Sequence, residues 1–466
     1  MGGLFSALQT SATALQAFTQ ALGVDQSNIA NASTPGYAAQ KASILPIGSS
    51  AGGSNNGDLI SLSSTGNTIT DAQVQAASSE ASFSQTQTQQ LTPVNQLFDI
   101  TGSSGILAAF QQFSTAFSNL SVTPNDPTLG TAALSAAGTV ATAFQTVANG
   151  LATQRDQIDS GIQSTVTQIN TLSADIRQLN AQASGSGGPT PNTDASLRSD
   201  LDQLSSLVDI TVTTASDGGV SVLAGGQLPL VLGNQSFALS ANPSAAPGSQ
   251  ISSSGGGNSP VSFSGQLGAL LATRNGAITQ LLGGNGQAGT LNTLAAGFAA
   301  RVNTLLSSGN TAAGTPGVPI FTYDTTNPSD AAASLTLDPT VTSGQLGLAT
   351  TGASGLANGV ANILANLPGS NATADQVSGL SAEGLFGSIA ASVGQQLSNA
   401  TNTSVSDQTN LTAAQTNRQQ QSGVSLDQEA TNITAYQRSY QANAQVISIL
   451  NQLTEDTINL ITPTTG

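Results

Sequence analysis

Apolar residues recur every seven positions at both ends of this chain. Across Ser425–Ile461, Leu426, Ile433, Tyr440, Ile447 and Ile461 keep that spacing, Thr454 fills the missing slot, and Ala430, Tyr436, Ala444, Leu450 and Ile458 widen the stripe. The pattern predicts a coiled-coil helix about 54 Å long. Ser425 and Gln428, three apart at its start, predict a capping box. At the other end Leu8, Leu15, Leu22 and Ile29 repeat in the same way beside Leu4, Phe5, Ala12 and Phe18, with Gln9, Gln16, Gln20 and Gln26 opposite. Helices are stabilised mainly by packing of their apolar stripe, and neither stripe is wide enough to fold alone. Both ends are therefore expected to be disordered in the free monomer and to order on assembly.

Between the ends the periods change. Ile44–Gly102 reads as an extended connector entering a helix near Asp71–Leu97, and Ile106, Phe110, Phe113, Phe117 and Leu120 then mark an amphipathic helix. Asn125-Asp126-Pro127 predicts a turn. A long helix follows, with Phe144, Val147, Leu151, Ile158, Ile162, Val166, Ile169, Leu172, Ile176 and Leu179 on its seam and weak points at Gly150 and Gly161. After the Gly/Ser/Pro-rich loop 183–192 and a helical segment, Ser196–Val208, alternation predicts strands at Ile210–Thr214, Val220–Ala224 and Leu228–Leu232, the first two joined at Asp217-Gly218-Gly219. Pro243–Pro260 reads as a Ser/Gly/Asn-rich surface loop. Helical spacing resumes over Leu267–Leu282, Leu294–Leu305, Leu356–Leu367 and from Leu385 onward, with short extended pieces at Ile320–Tyr323 and Ser334–Leu337. The fold class is thus mainly α with a smaller β part.

Composition removes most chemistry. The 466 residues carry 8 Lys+Arg against 24 Asp+Glu, a net charge of −16, and no His, Cys or Trp. That excludes a Ser-His-Asp triad, a thiol nucleophile, a zinc finger and a redox pair. With Lys41 the single lysine, electrostatic binding to nucleic acid or an anionic membrane is not expected. The first residues lack the basic and apolar regions of a secretory signal, and no apolar run is long enough to span a membrane. Gly255-Gly256-Gly257 and Gly283-Gly284-Asn285-Gly286 lack the spacing and lysine of a phosphate loop. Asp156 with Asp159, and Glu455 with Asp456, could pass for a glycosidase's paired carboxylates, but they read as solvent-facing. No loop has EF-hand spacing, and no metal or cofactor is expected.

One string is more specific. Asn28-Ile29-Ala30-Asn31-Ala32-Ser33-Thr34-Pro35-Gly36-Tyr37 ends the first helix in a turn where Pro35 disfavours helical geometry at Thr34 and Gly36 supplies positive φ. It resembles the N-terminal signature of the bacterial flagellar axial proteins, shared by rod, hook and hook-associated members. Ser422–Glu429 and Tyr436–Ala444 resemble the matching C-terminal signature. The helix, Asn-Asp-Pro turn and very long helix resemble the hook-associated branch rather than the hook protein, although Thr128-Leu129-Gly130-Thr131 stands where that branch commonly has small residues and an Arg.

The resemblance implies nesting: a terminal-helix coiled-coil unit over 1–45 and 400–466, a helical unit over 46–208, 265–310 and 351–399, and a β-containing outer part over 209–264 and 311–350. It implies a structural subunit, not an enzyme, that polymerises at the hook–filament junction outside the cell after flagellar type III export. Its partners would be copies of itself, the hook protein, the filament-side junction protein and an export chaperone on the C-terminal helix, with no membrane insertion. The expected assembly residues are Leu8, Leu15, Phe18, Leu22, Ile29, Leu426, Ile433, Tyr436, Tyr440, Ile447, Leu450 and Ile458, with the turn Asn31, Thr34, Pro35, Gly36 and Tyr37. A hook or rod subunit, a carboxylate-based wall glycan hydrolase and a surface adhesin are the alternatives.

Overall fold

The structure is a computed structural model describing residues 2–44, 60–101, 104–185, 188–215, 218–242, 250–255, 262–284, 286–349 and 359–461. Helix α1 (Gly2–Ala30) leads through the Pro-Gly turn into a hairpin of β1 (Gln40–Ile44) and β2 (Ile60–Ser64), with Gln40 opposite Ser64. Asn67 caps α2 (Thr68–Gln96) by accepting from the Ile69 amide at 2.9 Å. Helices α3 (Gly105–Val122) and α4 (Pro127–Gly185) meet at the expected turn, where Asp126 Oδ1 accepts from the Thr128 amide. Pro127 takes the first helical position, which needs no N–H.

Helix α4 runs unbroken for 59 residues. The weak points expected at Gly150 and Gly161 are instead contact points: a β-carbon would stand 2.7 Å from Leu97 Cδ2 at the first and 3.5 Å from the Leu270 side chain at the second. Helix α5 (Pro191–Leu207) then enters an antiparallel sheet of β3 (Ile210–Thr214), β4 (Val220–Ala224), β5 (Leu228–Leu232) and β6 (Gln235–Ser236). Strand β7 (Leu239–Asn242) pairs with β8 (Gln250–Ser253). Strand β8 lies inside the stretch expected to be all loop, the remainder of which falls largely outside the described residues. Its polar composition hid it, because Ile251 alone among its residues is apolar and buried.

Helix α6 (Gly265–Thr273) continues through a π-turn, Arg274–Ile278, into α7 (Thr279–Leu282). The second glycine run forms β9 (Gly283–Gly284), paired with β10 (Gln287–Ala288), and Asn285 lies outside the described residues. After α8 (Thr290–Ser308) come β11 (Phe321–Thr322), α9 (Ala331–Ser334) and β12 (Thr336–Leu337), with β11 paired to β12. Helices α10 (Gly359–Asn366), α11 (Ala382–Ser422) and α12 (Leu426–Ile461) complete the chain. The division expected at residue 400 falls within α11, which packs along α2.

One core follows α4. Phe298 of α8 lies 4.9 Å from Phe110 and 5.4 Å from Phe113, ring centre to ring centre, and 6.3 Å from Phe321 of β11. Phe321 of β11 therefore shares a core with the helices around it. Two α4 asparagines, Asn180 buried and Asn170 half-buried, fasten strand backbone to helix. Asn180 accepts from the Val220 amide at 2.9 Å and donates to the Val220 and Gly233 carbonyls, while Asn170 holds both the N–H and C=O of Leu239. In a chain so poor in charge, amides satisfy the buried backbone.

Candidate assembly interface

Helices α1 and α12 lie antiparallel as a two-helix coil. Phe18 meets Tyr436, ring centres 6.3 Å apart, and one heptad on Asp25 meets Glu429. Carried a heptad the other way, the same register places Ser11 against Asn443. The stripe that α1 buries is Ser11, Ala17, Ala21, Asp25 and Asn28, spaced by three, four and six. Small side chains let the two backbones approach. The leucine heptad proposed from the sequence runs along the edge of that stripe: Leu8, Leu15 and Leu22 are half-buried, as is Phe18, and Ile29 is exposed.

On α12, Ile433, Tyr436, Ile447 and Leu450 are half-buried toward α1. Leu426 (55% exposed), Tyr440 (40%) and Ile458 (49%) project from one edge, and Val446, Ile449 (58%) and Leu453 (48%) from the other. The side chain of Ile461 lies outside the described residues. The start of α12 carries half of the expected capping box. Ser425 Oγ accepts from the Gln428 amide at 3.4 Å, but the Gln428 side chain turns forward to Asn432.

Asp25 and Glu429 are 4% and 6% exposed, and each keeps one oxygen, Oδ2 and Oε2, without a hydrogen-bond partner. Burial, then hydrogen bonding and repulsion from Glu429, push the Asp25 carboxyl up to about 7. The Tyr436 hydroxyl is also pushed up, by burial and by these two charges.

At the base of the coil the signature string explains itself. Asn28 is fully buried. Its Oδ1 accepts from the Tyr37 hydroxyl and the Gln40 amide, both at 2.9 Å, and its Nδ2 donates to the Gln40 carbonyl at 2.8 Å. Asn31 Oδ1 accepts from Thr34 at 3.3 Å. The turn thus hangs from the last turn of α1, which also places Pro35. Asn28 was absent from the sequence-based site residues, although it opens the signature string that ends in this turn.

Four segments converge there. The Ala39 amide donates to the Ser422 carbonyl at 2.9 Å, Ser422 Oγ donates to the Thr65 carbonyl, and Asn67 Nδ2 donates to Gln421. Beneath them Arg198 joins Asp71 at 3.2 Å and Asp194 at 3.0 Å, and Arg418 joins Asp202 at 2.8 Å and Asp71 at 3.6 Å. These side chains are 13–24% exposed. Burial raises the carboxyls of Asp194 and Asp202 against the pull of their arginines.

The carboxylates considered for glycan hydrolysis are separated by their partners. Asp156 is exposed and pairs with Arg155, whereas Asp159 is not on the solvent side as expected: its side chain is 18% exposed and binds Arg274 at 2.9 Å. Among the described residues no group of three or more His, Cys, Asp or Glu could hold a metal ion, and no helix is long and apolar enough to cross a membrane.

Comparison with known proteins matches residues 91–321 to the helical domain of flagellar hook-associated protein FlgK. Residues 8–37 match a flagellar basal body rod protein model, and residues 415–460 match the C-terminal model of the basal body rod FlgEFG proteins. Flagellar hook-associated protein 1 of Bacillus subtilis is 26% identical over 98% of this chain and 99% of its own length. That of Salmonella typhimurium is 27% identical over 69% of this chain and 61% of its own. The solved flagellar hook junction protein FlgK of Burkholderia pseudomallei, 17% identical, shares the fold with a TM-score of 0.64 over 76% of this chain and all of that one.

Proposed function

This chain belongs to the family of flagellar hook-associated protein 1, and on that premise we propose how it joins hook to filament. It is a structural subunit of the bacterial flagellum at the hook–filament junction. The observation that carries the reading is the uncovered apolar surface of α12: α1 covers one stripe, and Leu426, Tyr440, Val446, Ile449, Leu453 and Ile458 remain exposed on both edges. Each large apolar side chain buried contributes about 1.5–3 kcal/mol. Terminal helices of neighbouring copies cover these edges in a tube, with Leu8, Leu15, Phe18, Leu22, Ile29, Ile433, Tyr436, Ile447 and Leu450 at or beside the seams. Hook protein lies on one side and the filament-side junction protein on the other.

The relatives are structural flagellar proteins, and we read this chain likewise as no enzyme, since Asp156 and Asp159 are each committed to an arginine. As a flagellar component it acts outside the cell. Export through the flagellar type III channel, with a chaperone shielding the exposed edges of α12, accounts for how such a surface reaches its site. Helices α1 and α12 pair within the free chain, and assembly covers the apolar edges that this pair leaves exposed.

Electron microscopy of a strain lacking the gene, with the medium probed for flagellin, tests the reading. Hooks without filaments and flagellin lost to the medium are expected. Missing hooks would move the chain to hook or rod, and normal filaments would overturn the proposal.

A further inference from the structure

We propose that Asp25 and Glu429 form a proton-binding site in the terminal coil, holding one proton between their carboxyl groups, and that losing it loosens the α1–α12 pair. Both are nearly fully buried, they face one another across the helix pair, and each has an oxygen lacking a donor. The register set by Phe18 and Tyr436 brings them together one heptad away, so they cannot separate unless the coil slips or opens.

Nothing nearby neutralises two negative charges. Asp25 is the single charged residue of α1. On α12, Asp427 and Arg438 are exposed, and the Tyr436 hydroxyl faces the pair without supplying a cation. Strand β1 brings Lys41, which is exposed, β2 brings no titratable group, and the Tyr37 hydroxyl is committed to Asn28. Among the described residues no ion pair involves Asp25 or Glu429.

With one carboxyl protonated, its O–H donates to the other's oxygen. When the proton passes to solvent, two carboxylates are left face to face away from water. The sign follows from the raised Asp25 value. The stabilisation is full below the ordinary carboxyl range and is lost as pH rises through about 7. A buried polar layer of this kind also discriminates against slipped registers. The inference concerns the folding of one chain and stands whichever axial position that chain occupies.

Hydrogen–deuterium exchange of the full-length monomer tests it, read on peptides spanning 17–30 and 427–440 at about pH 6 and about pH 8.5 after correction for intrinsic exchange. Protection of both is expected to fall at least about tenfold at the higher pH, with α4 peptides unchanged. Asp25→Asn, and separately Glu429→Gln, should keep the low-pH protection and abolish the fall. Equal protection at both pH values, free exchange at both, or a fall that persists in both variants would overturn the proposal. So would recovery at high pH on adding calcium, which would make the pair a cation site.

Discussion

A β-carbon on Gly36 would stand 2.3 Å from the carbonyl oxygen of Ala195. Gly36 also has a φ of +75°, so the turn of the signature string needs glycine twice over: once for its own backbone, and once because the turn is pressed against α5. This contact is where the terminal coil meets the helical body. Gly36→Ala is expected to cost about 1–2 kcal/mol from the left-handed conformation alone and to lift the turn off α5. Faster amide exchange across residues 28–40 would register this, and unchanged exchange would count against it.

The three hydrogen bonds of Asn28 hold the strand that leaves that turn. Asn28→Ala leaves the Gln40 amide and carbonyl unpaired and is expected to destabilise the terminal unit by about 1–3 kcal/mol, against about 1 kcal/mol for Tyr37→Phe, which removes one bond. Thermal unfolding of both variants orders them.

Arg198 is the link between Asp71 and Asp194. Arg198→Met leaves the mostly buried Asp194 without its cation and Asp71 with only the 3.6 Å contact to Arg418, an effect of about 3 kcal/mol. Arg155→Met, at the exposed pair with Asp156, should change stability by less than about 0.5 kcal/mol. Urea denaturation of the two variants separates a structural ion cluster from a surface pair.

Ile449 and Leu450 are neighbours on α12, Leu450 half-buried in the packing stripe and Ile449 exposed at its edge. Ile449→Ser changes an exposed side chain and should leave the free chain within about 0.5 kcal/mol of wild type, yet fail to restore filaments in a strain lacking the gene. Leu450→Asp buries a charge in the coil and should fail as well, with a less stable monomer. Full filament restoration by Ile449→Ser would remove that edge from the interface.

How far the sequence could be read varies with how each residue is used. The seven-residue spacing of α12, the amphipathic spacing of α3 and the Asn-Asp-Pro turn were legible because each depends on neighbours within a few positions. The buried stripe of α1 was not. Leu8, Leu15 and Leu22 are its most apolar heptad, yet Ser11, Ala17 and Ala21 are buried because only small side chains fit where α12 approaches. Strand β8 was hidden similarly, its order coming from pairing with β7 rather than from its own composition.

By itself the sequence determined most of the helical and extended segments, the absence of His and Cys with the scarcity of basic residues, and the two terminal signatures. Those are local or compositional properties, set by period, turn chemistry and residue type. The register that joins Asp25 to Glu429, the convergence of Asp71, Arg198, Asp202 and Arg418, and the close approach of Gly36 to Ala195 were decided only by the tertiary structure. Each brings together residues far apart along the chain, and their burial and charge depend on which backbones pack, a quantity no local pattern encodes.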